Sequence, residues 1–129
     1  KDSYNVSRLS QVAALAALED AAYYDGVIEK IKRTRDRFLR EFSEKRGWFT
    51  YPSQSNFIFA EPKDARGETG LATAKSLYDF LFARKILVRH FSSHALTASF
   101  LRISVGTDDE MRQLSTALDA WQKNPVKTA

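Results

Sequence analysis

An arginine stands inside a short apolar segment in the last third of the chain. Residues 101–105 (LRISV) are predicted to form a strand, in which successive side chains point to opposite faces. The aliphatic residues 101, 103 and 105 then share one face, and Arg102 lies on the other. A guanidinium is a planar donor suited to a carboxylate or a phosphate, and burying it without a partner is costly. Arg102 therefore either binds an anionic ligand or forms a salt bridge across the sheet, for which Glu61 is a candidate.

A second arginine ends the preceding apolar segment. Residues 86–89 (ILVR) are also predicted to form a strand, and a hairpin-like return would bring Arg89 close to Arg102 on the same side of the sheet. Two guanidinium groups held close together repel each other when no carboxylate lies between them. Such a pair predicts a dianionic ligand.

Other polar residues give weaker signals for chemistry. His90 and His94 lie on either side of a loop-like segment and have no carboxylate at the spacing of a catalytic triad, so we interpret them as surface residues. Thr107 precedes Asp108 and Asp109, whose charges already suit the positive start of a helix, so it is interpreted as a helix cap. No residue of the chain is predicted to be catalytic, to bind a cofactor or to ligate a metal.

The elements that must position these arginines follow from periodicity. Apolar residues at spacings of three and four predict helices near residues 6–17, 27–42, 74–81 and 111–121, with a kink or break near residues 20–26. Thr107 and Glu110 form a capping-box pattern at the start of the last helix. Residues 56–60, 86–89 and 100–105 are predicted strands. The predicted fold class is α/β, a two-layer sandwich with a small, largely antiparallel three-stranded sheet covered by helices.

Composition bounds the class of protein. A chain of 129 residues predicts a single domain over residues 1–129. It has no cysteine, and its longest apolar runs are shorter than the roughly 20 residues of a membrane helix, so we expect a cytoplasmic protein with no membrane partner. The net charge of +4 comes largely from basic residues between positions 30 and 40, which alternate with acidic ones. We interpret that run as a solvated helix face and expect no nucleic-acid partner.

The chain resembles histidinol-phosphate aminotransferases and their relatives among the class I/II pyridoxal-phosphate-dependent aminotransferases. Four stretches, in this order and spacing, carry the resemblance. They are residues 4–18 (YNVSRLSQVAALAAL), 52–58 (PSQSNFI), 84–89 (RKILVR) and 101–107 (LRISVGT).

The resemblance implies that the chain is the C-terminal small domain of such an enzyme, with residues 1–5 as the interdomain link and residues 125–129 as a frayed tail. It implies that Arg102 binds the acidic group of the substrate and that Arg89 helps to hold its phosphate end. The implied reaction is histidinol-phosphate:2-oxoglutarate transamination in histidine biosynthesis. Pyridoxal phosphate would be held mainly by the large domain, because no segment here resembles the Schiff-base lysine region, and Lys75 is interpreted as a surface residue.

The implied partners are a large cofactor-binding domain of the same chain, a small anionic amino-acid-like substrate and a second subunit in a homodimer. The chain alone is expected to be inactive. Two alternatives stay open. One is a sister activity, such as threonine-phosphate decarboxylase or an aromatic aminotransferase, which shares much of this pattern; the other is a free-standing basic module that binds nucleic acid or an acidic protein.

Overall fold

The structure, a computed structural model, describes residues 6–123. The predicted link at residues 1–5 and the predicted tail at residues 125–129 lie outside the described residues. The chain divides into two compact units, residues 1–30 and residues 31–129. The single domain expected over residues 1–129 stays a prediction. No helix in the part of the chain that the structure describes is long and apolar enough to cross a membrane.

The first unit contains α1 (Arg8–Glu19) and the beginning of α2 (Ala21–Arg40). Ser7 caps α1 by accepting a hydrogen bond from the amide of Ser10 at 3.1 Å. Asp20 is the single residue between the two helices, and it lies within the segment where a kink or break was predicted. No residue of α1 is buried, although the helix is rich in leucine and alanine.

The second unit contains the rest of α2, a π-helical turn at Glu41–Lys45, and the sheet with its two following helices. Its elements are β1 (Phe49–Thr50), β2 (Phe57–Glu61), α3 (Leu71–Phe82), β3 (Arg89–His90), β4 (Leu101–Ser104) and α4 (Asp108–Lys123). The strands lie in the order β1-β2-β4-β3, and each neighbouring pair is antiparallel. The α/β class and the antiparallel sheet are confirmed.

Within residues 6–123 the sheet has four strands, where three were predicted. The additional strand, β1, has two residues, and it forms because Phe49 and Thr50 pair with Glu61 and Ala60 of β2. Two residues are too few to show a period of two, so the sequence around them carries no strand pattern.

The strand predicted at residues 86–89 forms only at its last residue, because β3 spans Arg89–His90. Lys85 adopts a left-handed conformation with φ 61°, and the amide of Ile86 donates to the carbonyl of Leu81 at 3.0 Å. That amide therefore completes the end of α3 and is not available to a strand ladder.

One face of the sheet forms the core together with the helices. Ile58, Ala60, Leu101 and Ile103 point to this face and are at most 2% exposed. They pack in one cluster with side chains of α2, α3 and α4 and of the segments between them, namely Phe38, Phe42, Trp48, Leu77, Leu81, Met111, Leu114, Ala117, Leu118 and Trp121. The helices thus lie on one side of the sheet, and the other side, which carries Arg102, is the open face.

The start of α4 confirms the predicted capping box. The amide of Thr107 donates to the carboxylate of Glu110 at 2.7 Å, and the amide of Glu110 donates to the Thr107 hydroxyl at 3.3 Å. The backbone and side-chain hydrogen bonds from Thr107 lower the pKa of the Glu110 carboxyl.

The basic run of α2 is less uniform than a solvated face. Arg37 is exposed and pairs with Asp108 across 3.3 Å. Arg35, in contrast, is only 7% exposed, with its Nε donating to Asp36 at 2.9 Å and its Nη1 donating to the carbonyl of Ser55 at 3.4 Å. The interpretation of the run as a solvated face is therefore wrong for Arg35, because α2 turns this position toward the loop before β2.

Candidate functional site: an arginine pair on the open face of the sheet

The two arginines singled out by the sequence are direct neighbours in the sheet. Arg89 of β3 lies opposite Arg102 of β4 in an antiparallel register, so their side chains project from the same face. Leu101 and Ile103, on either side of Arg102, are buried on the core face. The predicted alternation in β4 and the predicted proximity of the arginines are thus observed.

Neither arginine has a carboxylate partner within residues 6–123. Arg102 is half-buried, and its Nε is shielded from water without a hydrogen-bond acceptor. The salt bridge considered for Glu61 is absent among the described residues: both Glu61 and Phe57 are diagonal neighbours of Arg102, and its guanidinium lies over Phe57. Like charges that lie directly opposite in a sheet are destabilising, and a buried donor without an acceptor is unfavourable. This arrangement therefore stabilises the fold poorly and is typical of a ligand site.

Aromatic rings border the pair on both sides. The Cζ atom of Arg102 lies over the ring of Phe57, 5.4 Å from its centroid, and that of Arg89 lies over the ring of Phe91 at 4.8 Å. Phe59, opposite Arg102, stacks on Phe100 with centroids 4.8 Å apart. The site is thus a cationic pair set in an aromatic surface.

Sequence reasoning gave no role to these rings. Phe57 was assigned only to a buried strand and Phe91 only to a loop. The contact between Phe57 and Arg102 depends on the register of β2 against β4. Phe57 lies opposite Ser104, two residues along β4 from Arg102, and is therefore a diagonal neighbour of Arg102 on the same face. Neither register nor the course of the loop after β3 can be read from spacing alone.

The weaker candidates give no support for a ligand-binding role. His90 is half-buried, with its Nε2 atom 2.7 Å from the carbonyl oxygen of Ala98, whereas His94 is exposed. Asp108 and Asp109 occupy the first turn of α4, as expected for a plain helix start.

Residues 1–118 match the family model for aminotransferase class I and II. The chain belongs to that family. It is 45% identical over 118 residues to the histidinol-phosphate aminotransferase of Syntrophotalea carbinolica and 44% identical to that of Geobacter sulfurreducens. Each alignment covers 92% of this chain and 31% of the relative, so the chain spans about a third of the length of these aminotransferases.

Solved aminotransferases share the fold. Histidinol-phosphate aminotransferase from Sinorhizobium meliloti, in complex with pyridoxal-5'-phosphate, superposes with a TM-score of 0.76 and 26% identity, covering 95% of this chain and 32% of that one. The enzyme from Clostridium acetobutylicum gives a TM-score of 0.77 at 24% identity, covering 96% of this chain and 36% of that one, which supports the fold alone.

The family implies pyridoxal phosphate, and the described residues do not fit a site that bonds it. A Schiff base needs a lysine in a protected position. Among residues 6–123 no lysine is buried: Lys63 is half-buried, and the others are exposed. Lys75 is a surface residue, as interpreted, and its Nζ lies 2.6 Å from Asp79 one helical turn away. Asp64 cannot serve as a free acceptor for a pyridine nitrogen, because it accepts from the amides of Arg66 and Glu68 and pairs with the Arg66 guanidinium.

Proposed function

We propose that the chain is the substrate-binding small domain of a longer pyridoxal-phosphate-dependent aminotransferase, and that this parent enzyme catalyses histidinol-phosphate:2-oxoglutarate transamination. The observation that carries the proposal is the pair of opposed arginines on the open face, neither of which pairs with a carboxylate of residues 6–123. The family membership and the names of the relatives support the reaction class.

The two arginines divide the work of binding. Arg102, set between core residues of β4, offers a rigid planar donor to the acidic group of the substrate. Arg89, on the exposed edge strand, helps to hold a phosphate end. Two cations on neighbouring strands can share one dianionic group, such as the phosphate of histidinol phosphate, which orients the α-carbon of the substrate and favours the exclusion of water when domains close.

The cofactor and the remaining partners belong to the parent enzyme. When bound, pyridoxal phosphate supplies an electron sink for chemistry at the α-carbon. Since the described lysines do not form a site for it, we assign its binding to the large domain of the parent chain. The exposed leucines of α1, such as Leu9 at 81% and Leu18 at 77%, support a surface that packs against that domain or a second subunit of a homodimer. We place the parent enzyme in the cytoplasm.

A substrate panel tests the proposal. The parent enzyme is assayed in steady state with histidinol phosphate, threonine phosphate and aromatic amino acids, each at matched concentrations. We expect transamination of histidinol phosphate with the highest kcat/KM. Release of carbon dioxide from threonine phosphate, or a higher kcat/KM for aromatic amino acids, would contradict the proposed reaction and indicate the corresponding sister activity.

A further inference from the structure

We propose that Phe57 and Phe91 are positioning residues, which hold the guanidinium groups of Arg102 and Arg89 in the orientation that binds an anion. This inference rests on the proposed function, because it takes the arginine pair as the anion site. Phe57 and Phe91 thereby belong to that site, and they act through the arginines.

The two arginine–phenylalanine contacts have similar geometry. Each guanidinium lies over one phenylalanine ring, with Cζ-to-centroid distances of 5.4 Å for Arg102 over Phe57 and 4.8 Å for Arg89 over Phe91. Both distances are within the range of a cation–π interaction, which extends to about 6 Å. The rings approach the pair from different sides, since Phe57 belongs to the strand beyond β4 and Phe91 follows β3.

A ring holds an arginine differently from a carboxylate. The negative face of the ring attracts the cation but offers no strong hydrogen-bond acceptor, so the N–H donors are not consumed. A carboxylate at the same position would occupy the donors and neutralise the charge. Phenylalanine is therefore suited to restrain a guanidinium that must stay available to a ligand.

The rings also reduce the repulsion within the pair, because they draw the two guanidinium groups to different sides. Arg89 and Arg102 lie on directly opposed positions, and free side chains of like charge would turn away from each other. Arginine has several rotatable bonds, and fixing such a side chain on binding lowers affinity. By attracting each cation to a fixed ring, Phe57 and Phe91 remove part of that loss before the ligand arrives.

The test uses this 129-residue chain and inorganic phosphate. The arginine Nε–Hε signals of labelled protein are followed by NMR during a phosphate titration. We expect the wild-type chain to bind, and Phe57→Leu and Phe91→Leu each to weaken the Kd about two- to tenfold, the effect of losing the restraint on one long side chain. Phe57→Tyr, which keeps the ring, should retain the wild-type Kd.

Phe49→Leu is the matched control. Phe49 lies on β1, is 53% exposed and contacts Tyr51 and Phe100, and none of the described arginines lies over its ring. It should leave the Kd unchanged. Thermal melts of all variants are recorded to check that each is folded. Independently of any variant, the side-chain protons of Arg102 and Arg89 in the free wild-type chain should show upfield ring-current shifts.

The outcomes separate this inference from the proposed function. If Phe57→Leu and Phe91→Leu bind phosphate as tightly as wild type, or if the ring-current shifts are absent, the positioning role is wrong while the arginine pair stands. If the wild-type chain shows no phosphate-dependent shift of either arginine, or if Arg102→Ala binds equally well, the anion site itself is wrong and the proposed function loses its main support.

Discussion

Arg46 and Asp119 join two parts of the chain that lie 73 positions apart: the Nη2 of Arg46 donates to the Asp119 carboxylate at 2.7 Å. The same nitrogen reaches Glu41 at 2.8 Å, and Nη1 donates to Gln122 at 2.7 Å. The Arg46 side chain is 5% exposed. It therefore joins the π-helical turn after α2 to the last helix, and each of its three side-chain nitrogens donates within the fold.

Arg46→Ala should destabilise the chain severely. Removing one partner of a buried ion pair leaves the other without its counter-charge, here Glu41 with its side chain 15% exposed and the Ser115 hydroxyl still donating to it, and the expected loss is about 3–5 kcal/mol. Arg46→Lys should lose less, because an ammonium keeps the charge but not the planar fork. Urea unfolding of the 129-residue chain measures both.

Arg112 provides the control for that experiment. It pairs with Asp109 at 2.8 Å, but both side chains are more than 70% exposed. Its replacement by alanine should change the free energy of unfolding by about 0–1 kcal/mol. Equal losses for the two arginines would show that the Arg46 network contributes no more than a surface pair.

The capping box predicts a pH dependence. Hydrogen bonds from Thr107 lower the pKa of Glu110 below its ordinary value of 4.5 in the folded chain. A carboxyl with a lowered folded pKa stabilises the protein above its unfolded pKa, and that contribution is lost as pH falls through the folded value. The melting temperature of wild type should therefore exceed that of Glu110→Gln near neutral pH, and this difference in melting temperature should shrink as pH falls below 4.5. A difference that stays constant across this range would mean that the charge of Glu110 is not involved.

The isolated chain should form no specific imine with pyridoxal phosphate. Its described lysines are exposed or half-buried, so none has the protected setting of a Schiff-base residue. Mixing the chain with the cofactor should give no aminotransferase activity and no stoichiometric imine absorbance. Borohydride trapping of one adduct at a single lysine would contradict the assignment of cofactor binding to the large domain.

The features predicted well from sequence are those set by local periodicity. Alternation along β4 placed Arg102 away from the core, and the Thr107–Glu110 pattern marked the start of α4, because both depend on residues within one element. The features that were missed depend on pairing between distant segments. The strand β1 exists only through β2, and Arg46 gains its partners only when α4 packs beside the π-helical turn.

The candidate site shows the same division. The two arginines could be predicted as site residues because a charged side chain is rare in a short apolar strand. The rings beneath them were missed because Phe57 contacts Arg102 across a diagonal of the sheet, which requires the register of β2 against β4. The end of α3 likewise shortened β3, through a hydrogen bond that a strand pattern does not reveal.

Kinetics of Arg102 variants in the parent enzyme test the central claim most directly. Arg102 lies on the open face while its neighbours in β4 are buried, so on the proposed function its removal should take away a ligand contact without opening a cavity. A charged hydrogen bond contributes about 1.5–3 kcal/mol, so Arg102→Ala should lower kcat/KM for the anionic substrate at least about tenfold, with the melting temperature close to that of wild type. Arg102→Lys should recover only part of the loss. An unchanged kcat/KM, or a loss that only follows a fall in melting temperature, would contradict the account and make Arg102 a structural residue.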